Sequence, residues 1–255
     1  MKLYIFGSCS GTEPFPERHH TAWALECAGR LYWFDAGESC AHTAHIMGVD
    51  LLAVSDIFIS HSHMDHIGGL PHLLWTIRKL TTRLKMQPKY QDITVYSPNA
   101  ESFAGVMAML KNAEGQYKNA YQTNFVKTSE GVLLQNDRVA VTARHNLHIK
   151  PTDEGYQSFS YVIEAEGKKI VYSGDIASVE ELDALIADGC DVLLTETGHH
   201  NPVELCEHMK DKPIGHLYFL HHGRVILHDY DTVLVQCRSI MPNVTLCNDK
   251  DSCEL

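Results

Sequence analysis

Positive charge is scarce in this chain: 21 Lys and Arg stand against 32 Asp and Glu over 255 residues, a formal charge of −11. A broad nucleic-acid footprint normally needs a basic face, so the balance argues against one and leaves room only for a local basic patch. Long apolar runs are missing too. No segment approaches the roughly 20 residues that span a bilayer, and Met1–Gly7 is too short an apolar run for a secretory leader. No membrane partner and a cytoplasmic location are therefore expected. The 8 Cys include no Cys-x-x-Cys pair, and their density is below that of a disulfide scaffold, so reduced thiols are expected. There is no repeat of fixed period, no low-complexity tract and no Pro/Gly/Ser linker to mark a boundary. With 44% hydrophobic and 21% charged residues the composition is that of an ordinary globular protein. One domain over residues 1–255 is expected.

Histidine, by contrast, is plentiful: 17, against 8 Phe and 11 Tyr. Neutral imidazole is the commonest metal ligand, so composition already hints at a metal.

Periodicity orders the chain. Lys2–Phe6 reads as a strand, and Ala22–Cys27 with Leu31–Asp35 as a hairpin turned at Ala28-Gly29-Arg30. Glu38–Met47 reads as a short helix closed by Gly48, Asp56–Ser60 as a buried strand, and Leu70–Leu84 as a helix with Leu70, Leu73, Leu74, Ile77, Leu80 and Leu84 on one face. Ile93–Ser97 (strand) and Ala100–Lys111 (helix) follow, then strands at Asn124–Lys127, Val132–Leu134 and Val139–Ala143. A hairpin is expected at Tyr161–Ala165 and Lys169–Tyr172, with helices at Val179–Ala187 and Val203–Lys210 alternating with strands at Asp191–Thr195 and His216–Leu220. Two sheets sandwiched by helices would satisfy this order. The polar stretch 112–124 is the least regular, a lid or a loop.

The strand ending at Ser60 delivers four candidate donors within six residues: His61, His63, Asp65 and His66. In an extended turn residues two apart point the same way, so His61 and His63 can grip one metal while Asp65 and His66 curl toward a second. Gly68 and Gly69 then let the backbone turn tightly into the following helix. A strand ending in Gly174-Asp175 lets a carboxylate reach a metal with little crowding, although a turn Asp after a hairpin strand has the same appearance.

These motifs resemble the metallo-β-lactamase superfamily, and its ribonuclease Z-like branch in particular. The resemblance is carried by Gly7-Ser8-Cys9-Ser10-Gly11-Thr12, Pro16-Glu17-Arg18-His19-His20, Phe34-Asp35-Ala36-Gly37-Glu38 and His61-Ser62-His63-Met64-Asp65-His66-Ile67-Gly68-Gly69-Leu70, then by Ser173-Gly174-Asp175 and Leu220-His221. It implies an α/β fold, the αββα four-layer sandwich, with two divalent ions: Zn²⁺, or else Mn²⁺ or Fe. It further implies that His61, His63 and a His after Val139–Ala143 hold one ion, His148 being favoured and His145 the reserve. Asp65, His66 and His221 would hold the other, with His222 as the nearby competitor and Asp175 as the bridge. Asp35 resembles the family's carboxylate that orients a metal-bound His.

Two such ions hold a hydroxide, lower the pKa of water and clamp the attacked centre, which is hydrolytic chemistry. Asp65, Glu196 and His199 are the catalytic candidates. Ribonuclease Z proteins carry a His-Glu pair where this chain has Thr195-Glu196, with His199 and His200 displaced downstream, and the long arm that grips tRNA in some members is not found here. The expected activity is hydrolysis of a phosphodiester or related anionic ester; thioester, lactone or sulfate ester hydrolysis and a di-iron redox centre are the alternatives. The expected partner is a small anionic substrate, with nucleic acid left open and a homodimer admitted. Ser8–Thr12 and Arg18-His19-His20 read equally as anion contacts or as a plain loop and a solvated turn. The remaining His42, His45, His72, His208, His216 and His228 read as surface or helix residues.

Overall fold

The structure, a computed structural model, describes residues 1–90, 92–113 and 120–255. The middle of the expected lid or loop, residues 114–119, lies outside the described residues. Two compact units are present, one made of Met1–Gly7, His19–Thr128 and Asp249–Leu255, the other of Ser8–Arg18 and Ser129–Asn248.

In the first unit the elements run β1 (Lys2–Gly7), β2 (Ala22–Cys27), β3 (Arg30–Phe34), α1 (Cys40–Ile46), β4 (Val54–Phe58), α2 (Met64–Ile67), α3 (Leu70–Thr82), β5 (Asp92–Ser97), α4 (Ala100–Asn112) and β6 (Gln122–Lys127). They form one seven-stranded sheet in the order Ser252–Glu254, β1, β2, β3, β4, β5, β6. The first three pairings are antiparallel and the last three parallel. The hairpin β2–β3 turns in two residues, Ala28 at φ 50° and Gly29 at φ 77°, the paired positive φ values that match the twist of the flanking strands.

An aromatic row crosses four neighbouring strands of this sheet. Trp23, Phe34, Phe58 and Tyr96 stack in turn with ring centroids 4.3, 5.0 and 4.6 Å apart, and each pair is a direct cross-strand pair. Stacked pairs of this kind contribute about 0.5–1.5 kcal/mol each beyond the area they bury, and they stiffen the sheet where β3 and β4 hand the chain to Asp35 and His61. From α3, Leu70, Leu73, Leu74 and Ile77 are buried in the core with Ile57 and Val95, as the period of the sequence requires. The helix stops at Thr82 rather than at the expected Leu84, which is 65% exposed and precedes Lys85 at φ 55°.

The second unit contains β7 (Gly131–Gln135), β8 (Val139–His145), β9 (Phe159–Ala165), β10 (Lys168–Tyr172), α5 (Asp183–Ile186), β11 (Cys190–Thr197), α6 (Pro202–Met209), β12 (Ile214–His222), α7 (Arg224–His228), α8 (Tyr230–Ile240) and β13 (Val244–Leu246). Its sheet runs in chain order from β7 to β13, again with three antiparallel pairings followed by three parallel ones. The expected helix Val179–Ala187 is instead a 3-10 turn, Val179–Leu182, followed by the single turn α5. No strand or helix beyond Leu220 is expected from the sequence; there β12 continues to His222 and the chain forms α7, α8, β13 and the C-terminal strand. Among the described residues no helix is long and apolar enough to cross a membrane.

Candidate functional site

In the first unit the donors are built outward from Asp35. This residue follows β3 at φ 52° and gives its N–H to Phe58 O, 2.8 Å away. Its fully buried carboxylate accepts the Ser60 N–H at 2.7 Å and the Ser60 hydroxyl at 2.8 Å, and lies 2.8 Å from His66 Nδ1. A carboxylate can only accept, so His66 Nδ1 carries the proton and its Nε2 keeps the lone pair in the neutral ring, the tautomer that a metal requires.

The expected strand Asp56–Ser60 is displaced. β4 covers Val54–Phe58, Ile59 still gives its N–H to Tyr96 O at 2.8 Å, and Ser60 turns from the ladder to Asp35. His61 and His63 then approach to 3.0 Å between Nε2 and Nδ1, the His61 and His66 rings are 4.1 Å apart, and His66 Nε2 is 3.4 Å from Asp65 Oδ2. Asp65 and His66 sit on the single turn α2, and Gly69 passes so near Gly37 that a Cβ would lie 2.0 Å from its carbonyl oxygen.

In the second unit the donors surround Asp175, which follows β10 and is 2% exposed. Its Oδ2 is 3.6 Å from His148 Nε2, 3.8 Å from His199 Nδ1 and 3.4 Å from His221 Nε2. Asp175, Glu196, His199 and His221 offer ligand atoms that all lie within 4.8 Å of one another. The reserve His145 is elsewhere: its Nδ1 pairs with Glu130 and its ring stacks on Tyr156 with centroids 3.8 Å apart. The competitor His222 has its ring nitrogens on Thr197 Oγ1 at 3.0 Å and Cys247 O at 2.8 Å, and burial pushes its pKa down to about 3.

His221 is a bulge residue. The register of β11 against β12 slips beside it, and its φ is 51°. Gly198 makes room for the ring, since a Cβ there would lie 2.5 Å from His221 Nδ1. Glu196 is 1% exposed; it accepts the Ile176 N–H at 3.0 Å and the His199 N–H at 2.8 Å, and lies 2.9 Å from His199 Nδ1 and 3.6 Å from His221 Nδ1. Burial raises its pKa, but the hydrogen bonds from His199 and the nearby His221 imidazole outweigh that and hold it at about 2. The hydrogen bond to Glu196 in turn raises His199, against desolvation.

Thus His61, His63, Asp65 and His66 are brought together in one unit, and His148, Asp175, Glu196, His199 and His221 in the other. Four residues outside the expected set take part: Ser60 and Gly198, and, beside His148, Asn146, whose amide reaches Ser173 O, and Glu181, which accepts the Leu147 N–H. Of these only Ser60, directly preceding the His-rich run, had a signal in the sequence.

The family described as Anti-Pycsar protein Apyc1 matches residues 1–211. The chain belongs to this family. The Apyc1-family chain is also 29% identical over 164 residues to a ribonuclease Z of Oenococcus oeni, covering 63% of this chain and 47% of that protein. It therefore spans about half the length of that relative. Over 100% of this chain and 99% of the other it superposes on human tRNase Z, short form (ELAC1), at 20% identity and TM-score 0.70, and over 98% of each on the metallo-β-lactamase fold protein YhfI from Bacillus subtilis at 15% identity and TM-score 0.72. The metallo-β-lactamase fold and the ribonuclease Z-like character expected from the sequence are borne out. The Apyc1-family chain carries the buried Thr195 beside Glu196, and His199, three residues after the acid, supplies the imidazole on that carboxylate.

Proposed function

We propose that the protein is a metal-dependent hydrolase of a phosphodiester or related small anionic ester. The observation that carries the reading is Asp175, a buried carboxylate within 3.4–3.8 Å of three imidazoles. Such a set of imidazole nitrogens around a carboxylate oxygen fits a divalent cation of borderline softness, zinc by preference. His61, His63, Asp65 and His66 would serve as metal ligands in the first unit, and His148, Asp175 and His221 in the second.

The ions, when bound, supply a nucleophile at neutral pH and positive charge against the anionic group attacked. The chain's own residues do the rest. Asp35 holds the His66 tautomer. Asp65 serves both as ligand and as acceptor for the proton of the attacking water. Glu196 fixes His199 through its backbone N–H and Nδ1, and the partly exposed ring of His199 gives a proton to the departing oxygen. The proposed partner is a small anionic substrate, and the proposed location is the cytoplasm.

Metal analysis of the purified protein, together with turnover of a chromogenic phosphodiester beside a phosphomonoester, a thioester, a lactone and a sulfate ester, tests this. Metal bound with preferential diester turnover is expected. Asp65→Ala should abolish turnover with folding retained, whereas His199→Ala should lower kcat by about 10²–10⁴-fold with metal content kept. Absence of bound metal, or preference for a thioester or lactone, would overturn the reading.

A further inference from the structure

We propose that Glu181 is a positioning residue that locks the segment carrying His148 to the segment carrying Asp175. The inference rests on the reading of those two residues as ligands. Glu181 lies in the 3-10 turn Val179–Leu182 and is only partly buried. Its Oε1 accepts the Leu147 N–H at 2.7 Å; its Oε2 accepts the Ala177 N–H at 2.8 Å and the Ser178 N–H at 3.3 Å. One carboxylate thus grips the residue before His148 and the second and third residues after Asp175.

The bond to Ser178 is half of a capping box, and it is the only bond that a capping box asks of the Glu181 side chain. The bond to Leu147, 34 residues away in the chain, is the feature that capping does not explain. On the other side of His148, Ile149 gives its N–H to Ser158 Oγ at 3.0 Å. The backbone of His148 is therefore pinned on both flanks, and its Nε2 stands 3.6 Å from Asp175 Oδ2. A further side-chain tie between the two segments, Asn146 Nδ2 to Ser173 O, is long at 3.4 Å. A carboxylate accepting several N–H groups is stronger than a neutral acceptor, so Glu181 adds a strong direct tie between the two donor segments to the sheet pairing that joins them.

The test uses the full chain as parent, E181A, E181Q, H148A and the double variant H148A/E181A, with Zn²⁺ affinity measured by competition with a chelating dye and amide hydrogen exchange read residue by residue. E181A should weaken one zinc equivalent by about tenfold or more, the scale set by residues that orient ligands. It should also speed exchange at Leu147, Ala177 and Ser178 together while the β9–β12 amides stay protected. In the H148A background the same change should cost no further affinity. E181Q, whose single carbonyl oxygen can accept from one segment only while its NH2 cannot accept at all, should lose the brace much as E181A does. Parental zinc affinity in E181A, an undiminished loss in the H148A background, or equal opening of the sheet amides would overturn the proposal. If the parent bound no zinc, the hydrolase reading would fall, and exchange at the two segments would still decide the brace.

Discussion

Asp35 and His221 both hold a left-handed backbone, φ 52° and 51°, a conformation that costs a residue with a side chain on the order of 1–3 kcal/mol. Each lies where its strand ends, and each side chain enters a donor cluster, so the surrounding structure holds them against that cost. Asp35→Ala would leave the Ser60 N–H, the Ser60 hydroxyl and His66 Nδ1 without their buried acceptor. At about 1–3 kcal/mol for each orphaned group, urea unfolding should show a loss of at least about 3 kcal/mol. Asp35→Asn keeps the shape and should fold, yet bind metal about 10–100-fold more weakly by dye competition. Gly198→Ala pushes a methyl to 2.5 Å from His221 Nδ1. Turnover should fall at least about tenfold, with stability changed by about 1–3 kcal/mol as for other overpacked sites; unchanged turnover would show that the ring has room to move. Asp35 was legible through the family resemblance, since its local pattern is that of a turn residue at the end of a strand. Gly198 was not, because its role depends on the register slip that turns His221 toward it.

At the scale of elements, what could be read locally was read. Both two-residue hairpin turns, Ala28-Gly29 and Glu166-Gly167, have positive φ at both positions, and the alternation of helix and strand from Val179 to Leu220 was visible as period. The stretch after Leu220 was less so: in α8 only Val233 and Cys237 are buried, too thin a stripe to stand out among polar neighbours. The split of Val179–Ala187 was likewise hidden, since Glu181 spends its carboxylate on a residue 34 positions away. Where β4 pairs with β5, Asp56 is buried with the Ser55 hydroxyl donating to Oδ2 at 2.7 Å and the Tyr96 hydroxyl to Oδ1 at 3.4 Å. Desolvation raises its pKa above 3.8 despite these bonds. The folded protein therefore takes up a proton at a higher pH than the unfolded chain. Acidification from neutrality down through the raised pKa favours the fold, and the gain ends below 3.8, where both states are protonated. Asp56→Asn removes this linkage, so in denaturant midpoints between neutral and mildly acid pH the parent should gain on the variant as pH falls. Parallel pH profiles would contradict it.

For the molecule as a whole, the His-rich run and the family resemblance made the metallo-β-lactamase fold readable in the sequence. The like order of pairing in the two sheets, three antiparallel and then three parallel, was not, because no sequence period accompanies it. That order matters to function in each unit alone. The His-rich run follows the parallel strand β4, while Asp175, the segment Glu196–His199 and His221 lie at the ends of the parallel strands β10, β11 and β12, where open sheets carry their ligands. A consequence for stability follows. With a formal charge of −11 and Asp175 and Glu196 both almost fully buried in one unit, the metal-free chain keeps two neighbouring carboxylates that repel one another. Bound cations remove that repulsion and, binding the folded state alone, stabilise it by about 2.7 kcal/mol per site at a hundredfold excess over Kd. Chelation should therefore lower the calorimetric unfolding midpoint by several degrees, roughly 2–4 °C per kcal/mol for a chain of this size, and added Zn²⁺ should restore it. In Asp175→Ala the midpoint should no longer respond to chelator or zinc to the same extent. A parent midpoint indifferent to both would mean that these donors do not hold an ion.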